Sequence, residues 1–192
     1  NVHSRVDNML ACVADSALDG ARGNSGAILA QFFQGLCDGS ANIDKHDPES
    51  FTNAVKMASD YAREALAEPQ EGTILTTLKD FSTQLKNSIN TGTNDFANLM
   101  EEGVIAAESS VKNTPNLLAV LKKAGVVDAG AQGFFDLLSG INNFIKKGSL
   151  KEFDNSHISI NEQTNRLKTE TETEIEDLSF AYCTECLITS EN

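Results

Sequence analysis

Apolar residues along this chain recur at three- and four-residue steps, the spacing that gathers side chains on one face of an α-helix. Val6, Met9, Leu10, Val13 and Ala17 form the first stripe and predict a helix over residues 2–19. Gly20-Ala21-Arg22-Gly23-Asn24-Ser25-Gly26 interrupts it, and Ile28, Leu29, Phe32, Phe33 and Leu36 resume the pattern beyond. Asp47-Pro48 is a start signal, because Asp caps free amides and Pro sits at the first helical position where no hydrogen bond is lost. Phe51, Val55, Ala58 and Ala62 carry that helix toward Pro69. Thr73 is placed to cap the next, striped by Leu75, Leu78, Phe81, Leu85 and Ile89 and ended by Asn90-Thr91-Gly92-Thr93-Asn94. Phe96, Met100, Val104, Ala107 and Val111 mark a further helix, expected to stop at Thr114-Pro115. Leu117, Leu118 and Leu121 make a short one that Gly125 can close in the left-handed conformation. Phe134, Leu137, Leu138, Ile141, Phe144 and Ile145 form the last, terminated at Gly148. The fold class predicted for residues 2–148 is therefore all-α.

The character of the chain then changes. Residues 149–178 include the run Thr169-Glu170-Thr171-Glu172-Thr173-Glu174, too polar to bury a core, and read as a disordered acidic linker. Phe180 to Thr189 is β-branched and aromatic, so residues 179–192 read as a short β-like remnant at the start of a following domain. A start inside a helix and an end inside a strand suggest a fragment of a longer protein.

Charge and composition narrow the function. Fifteen Lys and Arg against 28 Asp and Glu give a net charge of -13, which repels a nucleic-acid backbone in the absence of a basic patch. No apolar run approaches the roughly 18 residues of a membrane span, and no secretion signal is visible, so the expected setting is cytoplasmic. Four cysteines, at positions 12, 37, 183 and 186, are too sparse for a disulfide framework.

The segment from Gly20 to Gly26 sets three glycines and two short polar side chains at a helix start. Glycines allow close approach of a ligand, free amides point outward, and the helix dipole favours an anion, so phosphate is the natural guest. An ordinary turn between helices has the same ingredients. The full string closely resembles the phosphate-binding turn of the dihydroxyacetone kinase L-domain family, including its fatty acid kinase branch. Glu71-Gly72-Thr73-Ile74-Leu75-Thr76 and Ala124-Gly125-Val126-Val127-Asp128-Ala129-Gly130-Ala131-Gln132-Gly133 match further family segments in order, with Ala131 standing where the family tends to have glycine.

The resemblance implies an antiparallel barrel of amphipathic helices with ATP across one open end. It implies that Gly23, Asn24, Ser25 and Gly26 hold phosphate oxygens, that Glu71, Gly72 and Thr73 form the rim, and that Asp128, Ala129 and Gly130 line the adenine and ribose side. Plain capping and turn roles for Thr73 and Asp128 remain open alongside. The implied activity is transfer of the ATP γ-phosphate to a substrate held on a partner, either a fatty-acid-binding protein or a dihydroxyacetone-binding subunit. The catalytic residues themselves are not identified.

The family's Asp-Gly-Asp-x-Gly-x-Asn loop, which binds two Mg²⁺ ions, has no counterpart in this chain. Asp7, Asp15 and Asp19 read instead as a solvated helix face. A chain without that loop is expected to bind ATP poorly and to be inactive alone, and a barrel lacking its first helix leaves an apolar seam that favours a homodimer. A non-catalytic helical scaffold or regulatory module is the alternative function. Tyr182-Cys183-Thr184-Glu185 resembles the opening of the next domain in the fatty acid kinase branch, which makes Cys183 a candidate Zn²⁺ ligand in the intact protein and leaves Cys186 to packing. His3, His46 and His157 are scattered and read as surface residues, and the Phe32-Phe33 and Phe134-Phe135 pairs as core.

Overall fold

The computed structural model describes residues 5–147. The readings made for the linker, the β-like remnant, Cys183, Cys186, His3 and His157 fall outside that range. The described residues form seven α-helices and no strand: α1 Val6–Gly20, α2 Gly23–Asp38, α3 Pro48–Glu64, α4 Ile74–Asn90, α5 Phe96–Leu117, α6 Ala119–Ala124 and α7 Ala129–Lys147. Consecutive long helices pack side by side, and α7 returns against α4 and α5. Short connections between such neighbours produce the expected antiparallel, up-and-down arrangement. No described helix is long and apolar enough to cross a membrane.

Each stripe finds a common core. Phe32 of α2, Val55 of α3, Leu78 and Phe81 of α4, Leu99 of α5 and Phe134 of α7 meet there, all nearly inaccessible to solvent. The ring of Phe134 stands edge-on to Phe32 at 5.4 Å and to Phe81 at 5.8 Å, the arrangement that aligns the positive ring edge with a negative face. The helix starts follow the local chemistry. Asp47 accepts from the Ser50 amide at 2.7 Å while Ser50 Oγ accepts from the Asp47 amide at 3.0 Å, so α3 opens with a reciprocal box. Thr73 and Asp95 cap α4 and α5.

Small residues set two helix spacings. A methyl on Gly103 of α5 would lie 2.5 Å from the Phe81 ring, so that ring packs directly on helix backbone. Gly35 and Gly39 do the same between α2 and α3: a methyl at either would stand 2.7 Å from the Ala58 Cα or 2.8 Å from the Ala54 Cα. The pattern Gly-x-x-x-Gly against Ala-x-x-x-Ala lets two backbones touch.

One helix end departs from expectation. Pro115 does not stop α5, which continues through it to Leu117. Proline lacks the amide that would bond the carbonyl four residues back, that of Val111. The Thr114 hydroxyl donates to that carbonyl at 2.8 Å, and the Leu118 amide bonds the Thr114 carbonyl at 3.0 Å, so the last turn is kept.

Candidate functional site

The glycine turn is tighter than its sequence suggests. α1 runs through Gly20, Ala21 and Arg22 alone make the connection, and Gly23 to Gly26 form the first turn of α2. Gly23 adopts φ +63°, a left-handed conformation that other residues rarely take, and this reverses the chain. A methyl on Gly26 would sit 3.3 Å from the Ala21 backbone, so the first turn of α2 packs closely on the connection. No side chain caps α2 and no acidic residue occupies its first turn. Gly23, Asn24 and Ser25 are exposed and Gly26 half-buried, which leaves the first amides of α2 facing solvent. Arg22, overlooked in the sequence reading although it sits inside the motif, donates to the Asp19 and Ala21 carbonyls at 3.1 and 2.6 Å. It fixes a positive charge beside the uncapped end.

At the start of α4 the polar groups are self-contained. The Gly72 amide donates to Thr76 Oγ1 at 2.9 Å, and the Thr76 hydroxyl donates to Glu71 Oε2 at 2.6 Å. Arg63 reaches the other Glu71 oxygen at 2.9 Å. The Thr76 bond first, and Arg63 after it, hold the Glu71 carboxyl below its usual pKa. Gly72, at φ +82°, packs against Leu117 and Leu118, where a methyl would lie 2.9 and 3.0 Å from their Cβ atoms. Thr73 serves as the cap of α4, its Oγ1 accepting from the Leu75 amide at 3.4 Å.

α7 starts from a buried node that sequence reasoning missed. Thr114, fully buried, accepts the Asp128 amide on its hydroxyl at 3.0 Å while donating to Val111. Asp128 Oδ1 in turn accepts from the Ala131 amide at 2.8 Å, so Asp128 caps α7. A Thr directly before a mid-helix Pro was the available signal.

The three sequence motifs converge at Gly130. A methyl there would lie 2.9 Å from Ser25 Oγ, 3.3 Å from Asp128 Oδ1 and 3.3 Å from Ile74 Cβ. The starts of α2, α4 and α7 therefore share one end of the bundle, with Ser25, Asp128 and Gly130 within reach of one another. The remaining sequence candidates stay apart. Asp15 and Asp19 are exposed on α1, and Asp7 is engaged by Arg5 at 2.7 Å, consistent with a solvated face. Among the described residues no three His, Cys, Asp or Glu side chains come together to hold a metal ion.

His46 is a correction to the sequence reading. It is half-buried, not superficial: its Nε2 lies 2.8 Å from Ser40 Oγ and its Nδ1 3.1 Å from Ser50 Oγ. Ser40 donates to the Leu36 carbonyl at 2.6 Å, which leaves its oxygen to accept from His46 Nε2–H. Burial lowers the His46 pKa, in keeping with a neutral ring.

An uncharacterized protein of Staphylococcus haemolyticus is 32% identical over 191 residues, 98% of this chain and 34% of that protein. Uncharacterized proteins of Staphylococcus aureus strains bovine RF122 / ET3-1 and USA300 are 32% identical over 192 residues, again 98% of this chain and 34% of each. The chain thus spans about a third of the length of these relatives. Residues 2–143 match the DAK2 domain, and the chain belongs to that dihydroxyacetone kinase-like family.

Proposed function

We propose that this chain is the nucleotide-holding component of an ATP-dependent phosphotransferase whose acceptor is carried by a partner protein. The observation that carries the reading is the junction at Gly130, where three helix starts meet and only that of α2 lacks a cap. An anion entering this end finds the α4 and α7 amides already engaged and those of α2 open. The phosphate chain of ATP then lies on the backbone of Gly23, Asn24, Ser25 and Gly26, with Ser25 Oγ and Arg22 beside it. Glu71, Gly72 and Thr73 form the rim. Asp128, Ala129 and Gly130 face the adenine and ribose, the second Asp128 oxygen being left for a ribose hydroxyl.

The acceptor partner follows from the same reading: a fatty-acid-binding protein or a dihydroxyacetone-binding subunit. Tyr182-Cys183-Thr184-Glu185 favours the fatty acid branch, in which Cys183 is a Zn²⁺ ligand; the alignments with the relatives cover 98% of the chain. A cytoplasmic setting belongs to this reading, because the reaction draws on ATP.

The described residues do not fit the two Mg²⁺ ions of the resembled kinases, since no carboxylate cluster lies among them. The same observation favours a second reading, a scaffold or regulatory module that binds nucleotide without transferring phosphate.

Calorimetric titration of ATP, with and without Mg²⁺, and transfer of its γ-phosphate to a fatty-acid-loaded acceptor separate the two. The expected outcome is ATP binding that Mg²⁺ changes by less than about twofold, and that Gly130→Ala weakens about tenfold or more by displacing the Ser25 hydroxyl. The methyl favours the helix by about 0.5–1 kcal/mol but also comes within 3.3 Å of Ile74 Cβ and Asp128 Oδ1, so circular dichroism and thermal unfolding of the variant check that a loss of affinity reports on the site. Because the chain alone is expected to bind ATP poorly and to be inactive, both measurements are repeated on the intact protein: absence of ATP binding there removes the kinase reading, and binding without transfer leaves the scaffold.

A further inference from the structure

The start of α4 sets a carboxylate close to the end of the bundle where a phosphate chain is to enter. Glu71 stands shortly before Ile74, whose Cβ would lie 3.3 Å from a methyl on Gly130, the position that Ser25 Oγ also approaches. Glu64 and Glu68 precede it along the same connection, and Arg63 is the one basic residue between Ala62 and Leu78. A bare carboxylate within about 10 Å of a bound anion repels it, because salt screens charges only over a comparable distance.

The fold nevertheless uses this carboxylate. The Gly72 amide is buried and needs an acceptor, which it finds in Thr76 Oγ1 at 2.9 Å. The Thr76 hydroxyl donates to Glu71 Oε2 at 2.6 Å, and this fixes the oxygen that accepts from Gly72. Gly72 itself is held at φ +82° against Leu117 and Leu118. Arg63, in the last turn of α3, donates to the remaining Glu71 oxygen at 2.9 Å. The Arg63 and Glu71 side chains are 46% and 47% exposed, so their pairing contributes little to stability. The Thr76 bond first, and Arg63 after it, keep the carboxyl ionised at neutral pH, while Lys79 acts on it only through space.

We propose that Arg63 is a positioning residue for the nucleotide: it neutralises Glu71, so that the carboxylate orders the first turn of α4 without repelling the phosphate chain from α2. The inference rests on the nucleotide reading above and adds to it a residue of α3 that lies outside all three glycine segments.

Calorimetric titration of the intact protein with ATP, ADP and adenosine tests it. Arg63→Met keeps most of the apolar stem and removes the charge. It should weaken ATP about fivefold, ADP about threefold and adenosine by less than about 1.5-fold, because the repulsion grows with the charge of the ligand. Arg63→Lys, which keeps the charge, should stay within about twofold of the original. Adding Glu71→Gln to Arg63→Met leaves an oxygen for Thr76 and should restore ATP affinity to within about twofold. Circular dichroism checks that each variant keeps its helix content. Losses that are equal for the three ligands, or no loss, overturn the proposal and leave the nucleotide reading in place, whereas an original protein that binds none of them overturns both. Failure of the double variant to recover overturns neutralisation as the role of Arg63. NMR titration of the Glu71 carboxyl needs no nucleotide: its pKa should rise in Arg63→Met, and an unchanged value overturns the pairing.

Discussion

The two ends of α2, separated by about 24 Å along a helix of 16 residues, treat their polar groups in opposite ways. At the C-terminal end, the connection to α3 is closed on itself. Ser40 returns to Leu36, His46 sits between Ser40 and Ser50, and Asp47 and Ser50 exchange hydrogen bonds. The Val6 and Asp7 amides of α1 add bonds to the Asp44 and Ile43 carbonyls. At the N-terminal end, the first turn of α2 has no side-chain acceptor, although the neighbouring starts of α4 and α7 are capped. One end commits its hydrogen-bonding capacity to holding the fold together, while the other keeps part of it for a guest. Stability and function are therefore separable along a single helix, and substitutions at the two ends should read out differently.

The largest effect expected on this comparison is at Thr114, which links the open end to the body of the protein. Thr114→Val preserves shape but leaves the part-buried Asp128 amide and the buried Val111 carbonyl without their partner, and denaturant unfolding should show a loss of about 1–3 kcal/mol. ATP affinity should fall with it, since the α7 start is no longer held in register; a variant that loses stability with unchanged affinity would detach this node from the site. Next comes the closed end. Asp47→Ala removes the cap of α3 at a cost of about 1 kcal/mol in the same assay, with ATP affinity unaltered. Equal damage to affinity from Asp47→Ala would erase the distinction between the ends.

The smallest effect is expected at Glu71, which is largely exposed. Its folded pKa lies below the usual 4.5, so the unfolded chain binds the proton more tightly and the stabilisation is present in full above that value. It fades as the pH falls below 4.5 through the folded value. Glu71→Gln should therefore lose under about 1 kcal/mol at neutral pH and flatten the acid limb of the stability curve, measured by thermal unfolding across that range.

The periodic stripes made most of the fold legible. Leu75, Leu78, Phe81 and Leu85 announced α4 because burying one face of a helix forces that spacing, and Asp47-Pro48 and Gly125 announced their boundaries through equally local chemistry. Pro115 misled because the repair lies in one hydroxyl, that of Thr114, whose bonding depends on where Asp128 arrives in space. The glycine motifs identified three helix starts, but sequence spacing contains no statement that Ser25, Ile74 and Gly130 share a corner. That follows only from the packing of α2, α4 and α7. His46 was misread for a similar reason, since its partners Ser40 and Ser50 become neighbours only after the loop folds back.

The glycine-to-alanine contact of α2 with α3 has a mechanical consequence. At Gly35 and Gly39 the two backbones are in direct touch, which leaves little side chain there to absorb a displacement. The contact therefore resists any sliding or tilting of α2 against α3, and holds the Ser40–Ser50 connection in place between them.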